Sequence, residues 1–276
     1  MGSIRVERTL VDGLGVVYRR AGSGAPLVLV HGAGEDGRGW TPQLESLSDE
    51  FTVVAWDEPG AGGSEDVPDG FALADYADCL AGVIDRAVGR PAHVVGLSWG
   101  STVALELYRR HPDRTASLVL TGGYAGWKGS LPAEEVAARV AGVRRMLDAE
   151  PGAFDPTMPG LFAAGPPPEH VPLIESMARD VRPRSMRHAL AIMAEADLTD
   201  VLPTVAVPVL LLWGELDARS PVRVARQLEE AIPGARLVLI PGCGHVTNLE
   251  RPAEFDAAVR EFCHGVDGLE SADGAR

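Results

Sequence analysis

The chain has 276 residues, with 25 Lys plus Arg against 39 Asp plus Glu and a formal net charge of −14. That balance excludes the basic face a nucleic-acid partner requires. With 46% apolar and 23% charged residues, the composition is that of a globular protein with a large core rather than a disordered chain. The densest apolar stretch, Val205 to Gly214, is ten residues interrupted by Pro208, well short of the roughly 18 a membrane span needs. A soluble protein with no membrane partner is therefore expected. Arg5, Glu7 and Arg8 stand where a secretory signal would need an apolar segment. The cysteines at 79, 243 and 263 form no CxxC pair, which predicts neither a disulfide framework nor a zinc cage and favours the cytoplasm. Cys243 reads as a small buried hydrophobe.

In chain order, Ile4 to Leu10 and Leu14 to Arg20, joined across Asp12-Gly13, predict an antiparallel hairpin at one sheet edge. Leu27 to Val30, Thr52 to Trp56, His93 to Leu97 and Ser117 to Leu120 are short apolar runs without polar alternation, as expected of strands covered on both faces. Val207 to Leu212 and Arg236 to Ile240 continue the series. Helical patterns lie between, at Ser101 to Arg110, Val222 to Ala231 and Ala253 to Phe262. The alternation predicts an α/β fold with a doubly wound, mostly parallel sheet. From 124 to 200 the rhythm stops and helices with proline breaks take over. Ser130 and Pro132 read as cap and start of a helix whose Val136, Val140, Val143 and Leu147 share a face. Gly165-Pro166-Pro167-Pro168 interrupts, and a second tract from Val171 to Leu198 breaks near Pro183. The predicted organisation is a core of residues 1–123 and 201–264, a helical insertion at 124–200, and a disordered tail at 265–276.

At the end of one predicted strand stands Gly96-Leu97-Ser98-Trp99-Gly100, followed at once by a helix. A serine between strand and helix, with glycine at both second neighbours, is the pattern of a nucleophile elbow. The glycines let strand and helix pack closely, and the strained turn aims the serine oxygen outward. Serine needs a base at neutral pH, and the base needs an orienting carboxylate. The loop after Val207 to Leu212 supplies Asp217, with Glu215 as competitor, and the loop after Arg236 to Ile240 supplies His245. Both fall at the carboxyl edge of the sheet, where open α/β folds place their sites. Two N–H donors must also face the developing oxyanion: Trp99 belongs to the elbow, and Ala33 of His31-Gly32-Ala33-Gly34 is the candidate for the second. The other histidines, at 31, 93, 111, 170, 188 and 264, lie elsewhere in the pattern.

Gly32-Ala33-Gly34-Glu35-Asp36-Gly37 also matches the dinucleotide fingerprint, with Asp57 about 20 residues on. Against it, Arg38, Gly39 and Trp40 intervene before Thr41-Pro42, the first helix-start signal. That reading also leaves Ser98, Asp217 and His245 unused.

Together with Asp57-Glu58-Pro59-Gly60-Ala61-Gly62-Gly63-Ser64 and His111-Pro112-Asp113-Arg114, these landmarks make the chain resemble the α/β-hydrolase superfamily over nearly its whole length. The resemblance implies a cofactor-free, metal-independent hydrolase with a helical cap over its site, acting on a small molecule. Serine at 98 separates it from the epoxide-hydrolase and haloalkane-dehalogenase branches, which use aspartate. Ser98-Trp99-Gly100-Ser101 is similar to prolyl aminopeptidases, although their His-Gly-Gly-Pro-Gly loop is absent. Gly244-His245 through Asn248-Leu249-Glu250-Arg251-Pro252 resembles esterases and enol-lactonases. Val246 replaces the Trp usual in carbon–carbon hydrolases. The expectation is a serine hydrolase of a carboxylic ester or lactone working through an acyl-enzyme. A prolyl-type aminopeptidase using Glu175 or Glu195, a carbon–carbon hydrolase, a slow-turnover receptor and a biosynthetic cyclase are the alternatives. Five of six methionines, at 146, 158, 177, 186 and 193, fall in the insertion, as either a pocket lining or simple packing. Arg179, Arg182, Arg184 and Arg187 are there too, as either a carboxylate anchor or a solvated face.

Overall fold

Asp12 and Gly13 both take positive φ, 50° and 86°, and this tight turn folds β1 (Arg5–Val11) back on β2 (Leu14–Ala21) in an antiparallel hairpin. The computed structural model describes residues 3–148 and 160–273, with side chains described as far as residue 268. After the hairpin come β3 (Ala25–Val30), β4 (Phe51–Trp56), β5 (Ala92–Leu97), β6 (Thr115–Thr121), β7 (Val209–Gly214) and β8 (Arg236–Ile240). They form one eight-stranded sheet in the order β1-β2-β4-β3-β5-β6-β7-β8. β2 pairs antiparallel with β4, and every later pairing is parallel. The predicted architecture, hairpin edge included, is the one found.

Helices α1 (Thr41–Ser46), α2 (Leu73–Ala87) and α3 (Trp99–Arg110) follow β3, β4 and β5. Successive strand side chains point to opposite faces, so Val28, Val54 and Val94 pack with α2 and α3, while Leu27, Leu29, Val53 and Val95 join Leu44 of α1 on the other side. Between β6 and β7 lie α4 (Trp127–Ser130), α5 (Ala133–Asp148), α6 (Val171–Asp180) and α7 (Pro183–Glu195); α8 (Val222–Ala231), α9 (Thr247–Glu250) and α10 (Pro252–Asp273) complete the chain. Among the described residues no helix is long and apolar enough to cross a membrane.

Several boundaries differ from expectation. β7 starts at Val209 because Pro208 has no N–H to give a ladder, although its carbonyl accepts from Leu118 N (3.0 Å). Ser130 does not cap α5; it ends α4, and its hydroxyl oxygen accepts from Ala125 N (2.9 Å). The expected disordered tail is helical through Asp273: Val266 is buried and Asp267 reaches His93 Nε2 at 3.2 Å, so tertiary contacts extend α10 past the apolar pattern that ended at Phe262. Residues 274–276 and Met158 lie outside the described residues.

Arg179, Arg182, Arg184 and Arg187 of the insertion take part in ion pairs. Arg182 donates to Asp66 Oδ1 (2.7 Å) and to the carbonyls of Ser64 and Gly62 (2.9 and 2.6 Å), and Arg184 pairs with Asp69. Arg187 reaches Asp148, and the exposed Arg179 lies 3.9 Å from Glu175. Arg182 and Arg184, with the Arg38–Asp180 pair (2.6 Å), tie the inserted helices to the sheet's loops.

Candidate active site

The turn between β5 and α3 forces Ser98 into φ 54°, ψ −113°, one of two non-glycine residues with positive φ among the described residues. Such strain persists only where the surroundings over-determine it. Here Ser98 N donates to Thr121 O (2.8 Å) and Ser101 Oγ to Gly96 O (2.6 Å), binding helix start to strand end. A Cβ on Gly96 would stand 2.6 Å from Gly100 O, and one on Gly100 only 2.2 Å from Val30 O. The second glycine thus serves the approach of α3 to the end of β3, the neighbouring strand. As the first residue of α3, Trp99 carries an amide with no intrahelical acceptor.

That approach sets α3 against the loop His31-Gly32-Ala33-Gly34-Glu35. Its turn closes through Glu35 N to Gly32 O (3.2 Å) and, in return, Gly32 N to Glu35 Oε2 (3.1 Å), leaving the Ala33 amide outside both bonds. His31 is fully buried; Nδ1 sits 2.8 Å from Gly32 O and Nε2 accepts from Glu58 N (3.1 Å), which fixes the neutral tautomer with the proton on Nδ1. Glu58 in turn accepts from Trp99 Nε1 (2.7 Å), so one chain of bonds joins the loop to the residue after the elbow serine. Burial raises the carboxyl pKa of both Glu35 and Glu58. Neither glutamate was singled out from sequence, because Glu35 sits in a glycine string and Glu58 in a turn.

Asp217 and His245, 28 residues apart in sequence, meet at the ends of β7 and β8: His245 Nδ1 lies 2.8 Å from Asp217 Oδ2. The other carboxylate oxygen accepts from Arg219 N (2.8 Å) and Ser220 N (2.7 Å), so the acid is held from both sides and is 5% exposed. Glu215, the competing acid, is exposed and accepts from Gly242 N instead (3.1 Å). A Cβ on Gly122, at the end of β6, would come within 2.8 Å of the His245 ring. Cys243 is buried, and burial pushes its thiol up to about 12, an inert packing residue as expected.

The insertion touches the histidine loop directly. Leu161 O accepts from both His245 N (2.8 Å) and Val246 N (3.1 Å), while Glu250 accepts Ala163 N at one oxygen (3.0 Å) and Gly244 N at the other (2.8 Å). Ser98, His245, Ala33 and Glu35 line one cavity whose remaining wall is largely apolar: Trp127, Val143, Leu161, Phe162, Ile174, Met177, Met186 and Met193. Three of the insertion's methionines therefore face the site. The remaining histidines have structural partners or stand apart: His93 bonds Ser117, His111 bonds Asp78, His188 bonds Phe71 O and His264 bonds Glu50.

The dinucleotide motif dissolves on inspection. Asp57 is fully buried and accepts from Arg19 (2.5 Å), Gly37 N (2.9 Å) and Gly63 N (2.8 Å), so no oxygen remains for a ribose. Gly37 opens a short 3-10 turn capped by Asp36 rather than a long helix. Among the described residues no group of His, Cys, Asp and Glu is placed to hold a metal ion.

The model of the alpha/beta hydrolase family matches residues 27–258. A pimeloyl-[acyl-carrier protein] methyl ester esterase of Neisseria meningitidis serogroup B is 30% identical over 250 residues, covering 86% of this chain and 92% of that protein. A putative carbamate hydrolase, RutD, of a Caulobacter strain is 28% identical over 254 residues, 87% of this chain and 90% of that protein. In three dimensions a thermophilic esterase from Thermogutta terrifontis, solved with malate bound, superposes with a TM-score of 0.81 at 31% identity, covering 95% of this chain and 99% of that one. Sheet order, elbow and family match agree, and the chain belongs to the alpha/beta hydrolase family as an enzyme of esterase type.

Proposed function

We propose that the chain hydrolyses a carboxylic ester or lactone of a small, largely apolar substrate through an acyl-enzyme intermediate. Ser98 attacks the carbonyl carbon while His245 takes its proton and passes it to the leaving oxygen; water then enters by the reverse route. Asp217 holds the imidazole tautomer and stabilises the imidazolium. The amides of Ala33 and Trp99 receive the oxyanion, the geometry that supplies the largest share of acyl-transfer catalysis. The observation that carries this reading is the His245–Asp217 pair, buried at 2.8 Å, beside the cavity that the strained Ser98 also lines. Residues 124–200 act on this reading as a cap that closes an apolar substrate pocket over Ser98. On this reading the chemistry needs no metal or cofactor, the ligand is a small-molecule substrate, and the three buried free cysteines fit a cytoplasmic setting.

The aminopeptidase alternative asks for a cap carboxylate inside the pocket, and Glu175 and Glu195 are both exposed on the outer surface. Turnover of aryl esters of graded chain length, lactones and aminoacyl amides by wild type and Ser98→Ala tests the reading. Ser98→Ala is expected to lose about 10³- to 10⁶-fold in kcat and Asp217→Asn on the order of 10⁴-fold. An unaltered rate in Ser98→Ala sinks it, and full activity in Asp217→Asn removes the acid.

A further inference from the structure

Two charged side chains besides the His245–Asp217 pair bear on the cavity, and their situations differ. Glu35 is held by the Gly32 N–H. Arg219 is fixed only through its main chain: its N donates to Asp217 Oδ1 (2.8 Å), and its carbonyl accepts from Arg139 (2.7 Å) and from the Tyr124 hydroxyl. Its stem runs against Gly160, where a Cβ would lie 3.5 Å from Arg219 Cδ. The guanidinium makes no hydrogen bond or ion pair among the described residues.

The neighbours do not neutralise it. Arg139 carries the same charge and is committed to Glu135 (2.7 Å) and to the faces of Tyr124 and Trp127. Asp217 attracts it, but both carboxylate oxygens are occupied. Burial and the Arg139 charge lower its basicity, although a guanidinium stays protonated in any protein. Arg219 is half-buried, and a cation withdrawn from water with no partner among the described residues is ordinarily matched by an opposite charge. Arg179, Arg182, Arg184 and Arg187 of the insertion are already paired with the chain's own carboxylates. A net charge of −14 would repel an anionic ligand unless a local cation received it.

We propose that Arg219 anchors a carboxylate carried by the substrate, so that the ester or lactone taken by this site is the ester of an acid or alcohol bearing a second, free carboxylate. The planar fork matches a carboxylate through two parallel N–H bonds. One cation suits one negative charge, while Met177, Met186, Met193 and Phe162 take the apolar body. This rests on the hydrolase reading above and adds the class of substrate.

The test compares kcat/KM for two matched pairs: mono-4-nitrophenyl adipate against 4-nitrophenyl hexanoate, with the carboxylate on the acyl side, and 4-acetoxybenzoate against 4-acetoxytoluene, with it on the leaving group. Wild type is expected to prefer the anionic member of at least one pair. Arg219→Met should lower that anionic-to-neutral ratio about 10- to 100-fold, the worth of one charged hydrogen-bonded contact, mainly through KM. Arg219→Lys should restore part of it, and Arg184→Met should leave the ratio as in wild type. Because each ratio is taken on one preparation, a reduced folded fraction cancels. Equal ratios in wild type and Arg219→Met for both pairs, or an equal drop in Arg184→Met, overturn the anchor. Absence of Ser98-dependent turnover of all four esters would overturn the hydrolase reading instead.

Discussion

Glu58 shows how a single side chain serves the site at a cost to the fold. Its carboxyl accepts from Trp99 Nε1 and is 6% exposed, and burial raises its pKa. The native chain therefore keeps this proton to higher pH than the unfolded chain does. Between the two pKa values the folded state binds more protons, so stability falls as pH rises through that window; below the unfolded value both states are protonated and nothing changes. Glu58→Gln keeps an oxygen acceptor for the indole and removes the charge. Denaturant midpoints are expected to show the variant more stable than wild type at pH 8 and equal to it at pH 4. A variant less stable at pH 8 would mean that the ionised carboxylate is the stabilising form.

At the scale of elements, the site is made where backbones approach closely. Gly100 sets α3 against the end of β3, and in Gly100→Ala the new Cβ would meet Val30 O at 2.2 Å and His31 O at 2.8 Å, both backbone atoms that cannot swing away. Overpacking of this kind costs about 1–3 kcal/mol or more, and relief by moving α3 also displaces the Trp99 amide. A lower denaturation midpoint and at least about tenfold lower ester turnover are expected. Retention of both would show that the helix gives way freely. Glu250 is the equivalent tie between the inserted segment and the histidine loop, with one oxygen on Ala163 N and the other on Gly244 N. Hydrogen bonds to charged groups are worth about 1.5–3 kcal/mol. Hydrogen-exchange mass spectrometry of Glu250→Ala should show faster exchange around 161–163 and 243–246, with KM raised as Phe162 loosens. Protection equal to wild type would make the clamp dispensable.

For the whole molecule, the sheet carries two cores, one under α2, α3 and α8 and one under α1 and α10. The second depends on a helix that reaches well past its apolar stripe. Deleting residues 265–276 removes Val266, 5% exposed, and the Asp267 contact to His93. Burying one valine is worth about 1.5–3 kcal/mol, so the truncated chain should unfold at a measurably lower denaturant concentration. An unshifted midpoint would return those residues to the status of a dispensable tail.

The strands, the mostly parallel sheet and its hairpin edge were legible in the sequence, because β3 to β7 are covered on both faces and leave unbroken apolar runs and because Asp12-Gly13 admits a tight turn; the order of the strands came only with the fold. The candidate triad was legible for a related reason: Ser98, Asp217 and His245 each follow a strand, and the carboxyl ends of parallel strands gather at one edge. What the residues could not state is which carboxylates and cations are already spoken for. Asp57 fits a ribose-binding spacing until Arg19, Gly37 and Gly63 are seen to use its oxygens. Arg182, Arg184 and Arg187 fit a substrate anchor until their partners appear, whereas Arg219, ordinary in sequence, stands at the cavity with no partner for its guanidinium among the described residues. Periodicity reports burial along one element, which is local; the pairing of charges depends on distances between elements far apart in the chain, and only the folded molecule sets those.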